Sequence, residues 1–280
     1  MLKRTISGAA IVGILVLLLA LSNYVVYSIG LAALATIAVY EMLRVIGVHK
    51  KLGISVPTLI LTPVFPVLAY FVKDENRLEF ILILAATAFV YMFLLMSISV
   101  FSKGRIPFSK TAQVFAAVIY ILVSFTSLVL VRYIGQHGYL FVIMAFLIPW
   151  ICDVFAYLIG SAIGKHKLIP EVSPKKSVEG AVAGVIFTAL FCLLFGLGVD
   201  LILKDIQVNY IILAVSGAVL SVVSQLGDLI ASVIKREHGA KDYGKILPGH
   251  GGIMDRFDSV LAVSTILLIL CMVFPPFTTI

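Results

Sequence analysis

Three aspartates near the carboxyl end of the chain are the first residues whose type and spacing could do chemistry. Asp255 and Asp258 lie three positions apart, which sets both carboxylates on one side of a helical turn, and Asp228 stands late in the preceding apolar run. An ionised Asp at the centre of a membrane helix costs about 2.5 to 3.5 kcal/mol on insertion scales, so each one calls for a partner or a function. Capping of a helix start and compensation of its dipole account for one such carboxylate. Three at one membrane depth suit a divalent cation. Hard oxygen donors favour Mg²⁺, which uses one or two carboxylates and leaves positions for water and substrate phosphate. Asp153, after Trp150, Ile151 and Cys152 in an earlier apolar run, suits an interior hydrogen bond as well as a place in such a site. Glu41, beside Tyr40, is expected to snorkel to the interface and pair with Arg44 three residues on.

The connection between Asp228 and Asp255 has the composition of a phosphate cradle. Lys235, Arg236, Lys241 and Arg256 can neutralise phosphate charge, while Gly249, Gly251 and Gly252 around His250 allow backbone amides to turn inward as an anion nest beside a helix start. Topology and attraction to anionic headgroups, worth about 1 kcal/mol per basic residue, explain the charge of such a loop. They do not explain a glycine-rich run flanked by aspartates. A second polar connection carries Ser173, Lys175, Lys176, Ser177, Glu179 and Gly180, where two adjacent lysines beside a helix start suit another phosphate contact and Glu179 suits the helix dipole.

These residues are positioned by a chain that is 61% hydrophobic and 12% charged over 280 residues, against about 45 to 50% apolar and about 25% charged in soluble domains. Apolar windows near 5–22, 24–43, 55–72, 79–101, 112–131, 139–161, 180–199, 209–233 and 257–276 predict an all-α, polytopic integral membrane protein of about nine transmembrane helices. With a cytoplasmic amino terminus, only Lys73, Arg77, Arg132 and Lys204 of the 21 Lys and Arg fall outside, which satisfies the positive-inside bias and puts the carboxyl terminus outside. Both polar connections, 162–179 and 234–256, then face the cytoplasm. We read residues 1–280 as a single membrane domain, with about 1–135 as scaffold or dimerisation helices and about 139–280 as catalytic helices and loops. The net charge of +7 reflects these connections and not nucleic-acid binding. Cys152, Cys192 and Cys271 have neither disulfide nor zinc spacing and read as packing residues. The start, Lys3 and Arg4 before an apolar run, reads as an uncleaved first span, and the compact chain suits a bacterial plasma membrane.

The string from Ser232, Lys235 and Arg236 through Lys241, Asp242, Gly244, Pro248 and Gly249–Gly252 to Asp255, Arg256 and Asp258 resembles the signature of the phosphatidate cytidylyltransferases, the CDP-diacylglycerol synthases. Ser173–Gly180 is similar to that family's second conserved stretch, with Ser177 and Val178 where Thr and Trp are expected. The resemblance implies a homodimer that converts CTP and phosphatidate to CDP-diacylglycerol and pyrophosphate with Mg²⁺ on the cytoplasmic side. On chemical grounds Asp228, Asp255 and Asp258, with Asp153 behind them, then hold Mg²⁺ and leave room for a second cation. Lys235, Arg236, Lys241 and Arg256 hold the phosphates, with Ser173, Lys175 and Lys176 as further contacts, and His250 binds phosphate or assists the leaving pyrophosphate. A CTP-dependent polyprenol kinase and an ion-coupled transporter using Asp153 and Asp228 are the competing readings.

Overall fold

The computed structural model describes Gly13, Leu17, residues 20–246, Gly249 and residues 251–279. The expected first span, 5–22, lies almost wholly outside the described residues, as does His250. Beyond residue 24 the apolar runs are helical, as they must be where only the segment's own backbone can satisfy its polar groups. The helices are α1 (Val25–Ile46), α2 (Leu52–Leu61), α3 (Val64–Ala69), α4 (Arg77–Phe101), α5 (Phe108–Arg132), α6 (Gly138–Ile163), α7 (Val178–Ile202), α8 (Tyr210–Glu237) and α9 (Met254–Val273). With α2 and α3 taken as one piece, eight among the described residues are long and apolar enough to cross a membrane. They coincide with the second to ninth expected windows. The break between α2 and α3 falls at Pro63, whose missing N–H cannot continue the ladder.

The chain is mostly helical, as expected, and carries two short ribbons besides. Strand β1 (Lys167–Ile169) pairs antiparallel with β2 (Ser173–Ser177), placing Lys167 opposite Ser177, and β3 (Ile206–Val208) pairs with β4 (Phe277–Thr279), placing Val208 opposite Phe277. Backbone leaving a helix must find new partners, and β-branched and aromatic residues favour a ribbon as the solution. Runs of three to five residues are too short for hydrophobic periodicity to reveal.

The chain divides into two compact units. The first comprises residues up to Tyr133 together with Glu237–Phe257. Its core is the α1–α5 contact, where Leu31, Ala35, Val39, Met42, Val118, Ile121 and Phe125 are all fully buried, and the Tyr27 hydroxyl donates to the Leu128 carbonyl at 3.0 Å. Helix α1 stops at Gly47, left-handed at φ 84, and Lys110 Nζ donates to the Ile46 carbonyl at 2.9 Å. By contrast α4 buries little beyond Phe80, Tyr91 and Leu95, as suits a helix turned to lipid.

The second unit comprises Ile134–Arg236 and Asp258–Ile280. Its helices approach closely through small residues, the usual device where hydrocarbon removes any hydrophobic drive between them. A Cβ on Gly180 would stand 2.5 Å from the Ala156 carbonyl oxygen of α6, one on Gly184 3.2 Å from the Cys152 carbonyl, and one on Gly217 of α8 2.6 Å from Cys192 Sγ of α7. This contact brings the polar ends of α6, α7 and α8 together.

Candidate active site

In the second unit the approach of four elements gathers three of the four acidic residues expected to bind metal, while Asp255 belongs to the first unit. Asp153 comes from α6, Lys176 from β2, Asp228 and Lys235 from α8, and Asp258 from α9. Gly227 makes the last of these possible: a Cβ there would lie 2.7 Å from Ala262 Cβ and 2.9 Å from the Asp258 carbonyl oxygen, so the glycine sets Asp228 beside Asp258. Lys176 Nζ stands 2.5 Å from Asp228 Oδ2. Asp153 feels Lys176 and Asp228 electrostatically, and Asp258 feels Asp228, Asp153 and Lys235. Three carboxylates and two ammonium groups thus interact electrostatically, and the carboxylates are hard oxygen donors. Among the described residues no three His, Cys, Asp or Glu side chains form a ready-made metal cage. Mg²⁺ does not require one, because water and substrate phosphates normally complete its shell.

Lys176 Nζ is buried. Apart from the Asp228 ion pair, its buried ammonium has no hydrogen-bond acceptor among the described residues, although a lysine carries three donors. The β1–β2 ribbon delivers it. Glu179 accepts from the His166 ring Nδ1 at 2.7 Å and from the His166 amide at 3.2 Å, tying the start of α7 to the residue ahead of β1. The Ser177 hydroxyl caps α7 by accepting from the Gly180 amide at 3.2 Å. We expect Ser177→Ala, which keeps the packing volume and loses the cap, to destabilise the protein by about 1 kcal/mol. Thermal unfolding in detergent reads this as a midpoint lower by a few degrees. Ser173 and the exposed Lys175 lie on the same strand.

In the first unit the glycine-rich loop is framed by carboxylates. Asp255 Oδ2 accepts from the Tyr243 amide at 2.8 Å and the Gly252 amide at 2.9 Å. Glu41 is 2% exposed and accepts from the Ile253 amide at 3.2 Å and the Met254 amide at 3.0 Å. The expectation that Glu41 snorkels beside Arg44 is therefore corrected: its carboxylate is buried at the amino terminus of α9, where N–H groups and dipole favour an anion. Glycines in this loop have identifiable reasons. Gly249 and Gly251 are left-handed at φ 79 and 84, and a side chain on Gly244 or Gly252 would collide with the Glu41 carboxylate. The Gly252 amide, expected to point at a bound phosphate, is instead donated to Asp255. Lys241, Lys245 and Arg256 are exposed in the same unit, and Arg236, at the end of α8 in the second unit, is also exposed.

Sequence reasoning missed Glu41 and Gly227, because only tertiary contacts give them their roles. A stronger signal comes from comparison with known proteins. A model described as the Cytidylyltransferase family matches residues 2–274. The chain is 36% identical over 254 residues to the phosphatidate cytidylyltransferase of Staphylococcus saprophyticus, spanning 91% of this chain and 90% of that protein. It is 33% identical over 279 residues to the phosphatidate cytidylyltransferase of Bacillus subtilis, spanning 98% of each. With the protein of that name from Staphylococcus aureus strain COL it shares 43% identity over 178 residues, 64% of this chain and 65% of that one. Matches of this extent, over a chain that sets Asp228 and Asp258 side by side, place the protein in the cytidylyltransferase family.

Proposed function

We propose that this enzyme transfers CMP from CTP to phosphatidate, forming CDP-diacylglycerol and releasing pyrophosphate, for membrane phospholipid synthesis. The observation that carries the reading is the Asp153, Lys176, Asp228, Lys235 and Asp258 cluster, within a chain similar over its length to proteins named phosphatidate cytidylyltransferase. The phosphatidate phosphate oxygen attacks the α-phosphorus of CTP, and the bridge from the α- to the β-phosphate breaks as pyrophosphate leaves. Phosphatidate is already ionised near neutral pH, so no general base is needed. The protein's part is positioning and neutralisation of oxygen charge.

Asp228 and Asp258 are the proposed Mg²⁺ ligands, with Asp153 beside them, and the bound ion would act as Lewis acid and template for the phosphates. Asp255, one turn before Asp258, is a further candidate, since ligating carboxylates are themselves usually hydrogen-bonded. Lys176 is proposed to exchange Asp228 for a substrate phosphate, its spare donors matching phosphate oxygens. Lys235, Arg236, Lys241 and Arg256 are assigned to the same phosphates, and Lys175 to the lipid headgroup. The finer topology belongs to this proposal too: nine crossings, a cytoplasmic amino terminus, catalysis at the cytoplasmic face of a bacterial inner membrane, and a homodimer. The skew of basic residues towards the proposed cytoplasmic connections supports the orientation, and the family resemblance alone suggests the homodimer.

Purified protein given CTP, Mg²⁺ and phosphatidate is expected to yield pyrophosphate and CDP-diacylglycerol in equal amounts. Free CDP with a phosphorylated lipid alcohol would establish a kinase instead. Absence of turnover in folded protein would overturn the assignment.

A further inference from the structure

We infer that Glu41, on the first described helix, is a positioning residue for the reaction. It locks the glycine-rich loop and the amino terminus of α9 into their working shape. The inference rests on the cytidylyl-transfer reading for its functional consequence, though not for its structural one.

Glu41 stands 212 positions before Ile253, and both are buried at their meeting point. Its two oxygens divide the work, Oε1 accepting from the Ile253 amide and Oε2 from the Met254 amide. These amides open α9, whose first turn carries Asp255 and Arg256. The same carboxylate fills the space in front of Gly244 and Gly252, so both sides of the loop pack on one anion. A buried carboxylate is tolerated only while it is hydrogen-bonded. If the loop opened, Glu41 would be left buried without these amides, so closure of the loop and burial of the charge sustain each other. Asp255 extends the frame by holding the Tyr243 and Gly252 amides, which leaves the loop with two carboxylate anchors from different helices.

A neutral isostere separates this role from simple space filling. Glu41→Gln keeps the volume but presents an amide NH₂ to one of the two N–H donors, which that donor cannot use. Hydrogen exchange by mass spectrometry on the full-length protein in detergent is expected to show residues 242–257 exchanging at least tenfold faster. Residues 108–132, the helix packed against α1, should keep their protection. Turnover should show CTP KM raised about 10- to 100-fold, the range for residues that orient catalytic groups. Gly252→Ala, which pushes on the same carboxylate from the loop side, should give the same local exchange signature, and combining it with Glu41→Gln should add little. Unchanged exchange of 242–257 in both variants, or loss of protection spread equally through 108–132, overturns the inference. The exchange arm is independent of substrate, so a wild-type protein inert towards CTP and phosphatidate would refute the proposed reaction and leave this test intact.

Discussion

Asp258→Asn is expected to lower turnover about 10³-fold while leaving the protein folded. Asp258 Oδ1 accepts from the Ser259 amide at 2.7 Å, and an asparagine oxygen can keep that bond. What asparagine cannot keep is the charge. Asp258 shares its field with Asp228, Asp153 and Lys235, and removing one of three carboxylates leaves the cluster balanced by its two lysines. The pull on a divalent cation then falls most. The residual rate should need more Mg²⁺ to saturate, whereas loss of a merely structural aspartate would lower the melting point and leave the Mg²⁺ dependence alone. Steady-state pyrophosphate release across a Mg²⁺ titration, with thermal unfolding alongside, distinguishes the two. A variant with wild-type turnover and wild-type Mg²⁺ dependence would remove Asp258 from the site. Asp228→Asn should fall comparably and also release Lys176 from its ion pair.

How much of this was legible beforehand follows from the range of each interaction. Helices α1 to α9 were readable because hydrocarbon forces long apolar runs to satisfy themselves locally, so composition alone locates them. Asp228 and Asp258 drew attention because a carboxylate in or beside such a run is costly enough to need a reason. Glu41 has the same cost, yet an arginine three residues away offered a local explanation that the fold does not use. Its true partners, the Ile253 and Met254 amides, are invisible to any periodicity. Gly252 was read for what its backbone could offer a phosphate. Part of its need, and that of Gly244, is steric, set by a side chain from another helix. The two ribbons escaped notice for a different reason, being strands of three to five residues, too short for alternation to announce them.

Gly227 carries the second large effect, and it concerns distance where Asp258 concerns charge. A methyl group in Gly227→Ala would meet Ala262 Cβ at 2.7 Å, the Asp258 carbonyl oxygen at 2.9 Å and Ser259 Cα at 3.3 Å. Two of these neighbours are backbone, so α9 must shift away from α8, and overpacking of this kind costs about 1 to 3 kcal/mol. Asp228 follows Gly227 directly, and Asp258 supplies one of the clashing atoms, so the shift separates the two carboxylates themselves. Misplacement of reacting groups by about 1 Å costs about 10²-fold in rate, and that loss is expected in kcat. Adding Ala262→Gly removes the first clash and neither backbone one, so it should restore part of the activity and not all of it. Gly198, in α7, provides the contrast: a Cβ there meets nothing within 4 Å. Gly198→Ala should be neutral or stabilising by about 0.5 to 1 kcal/mol, as alanine usually is in a helix interior. If Gly227→Ala and Gly198→Ala behaved alike in kcat and in thermal unfolding, the close crossing of α8 and α9 could not be what sets Asp228 against Asp258.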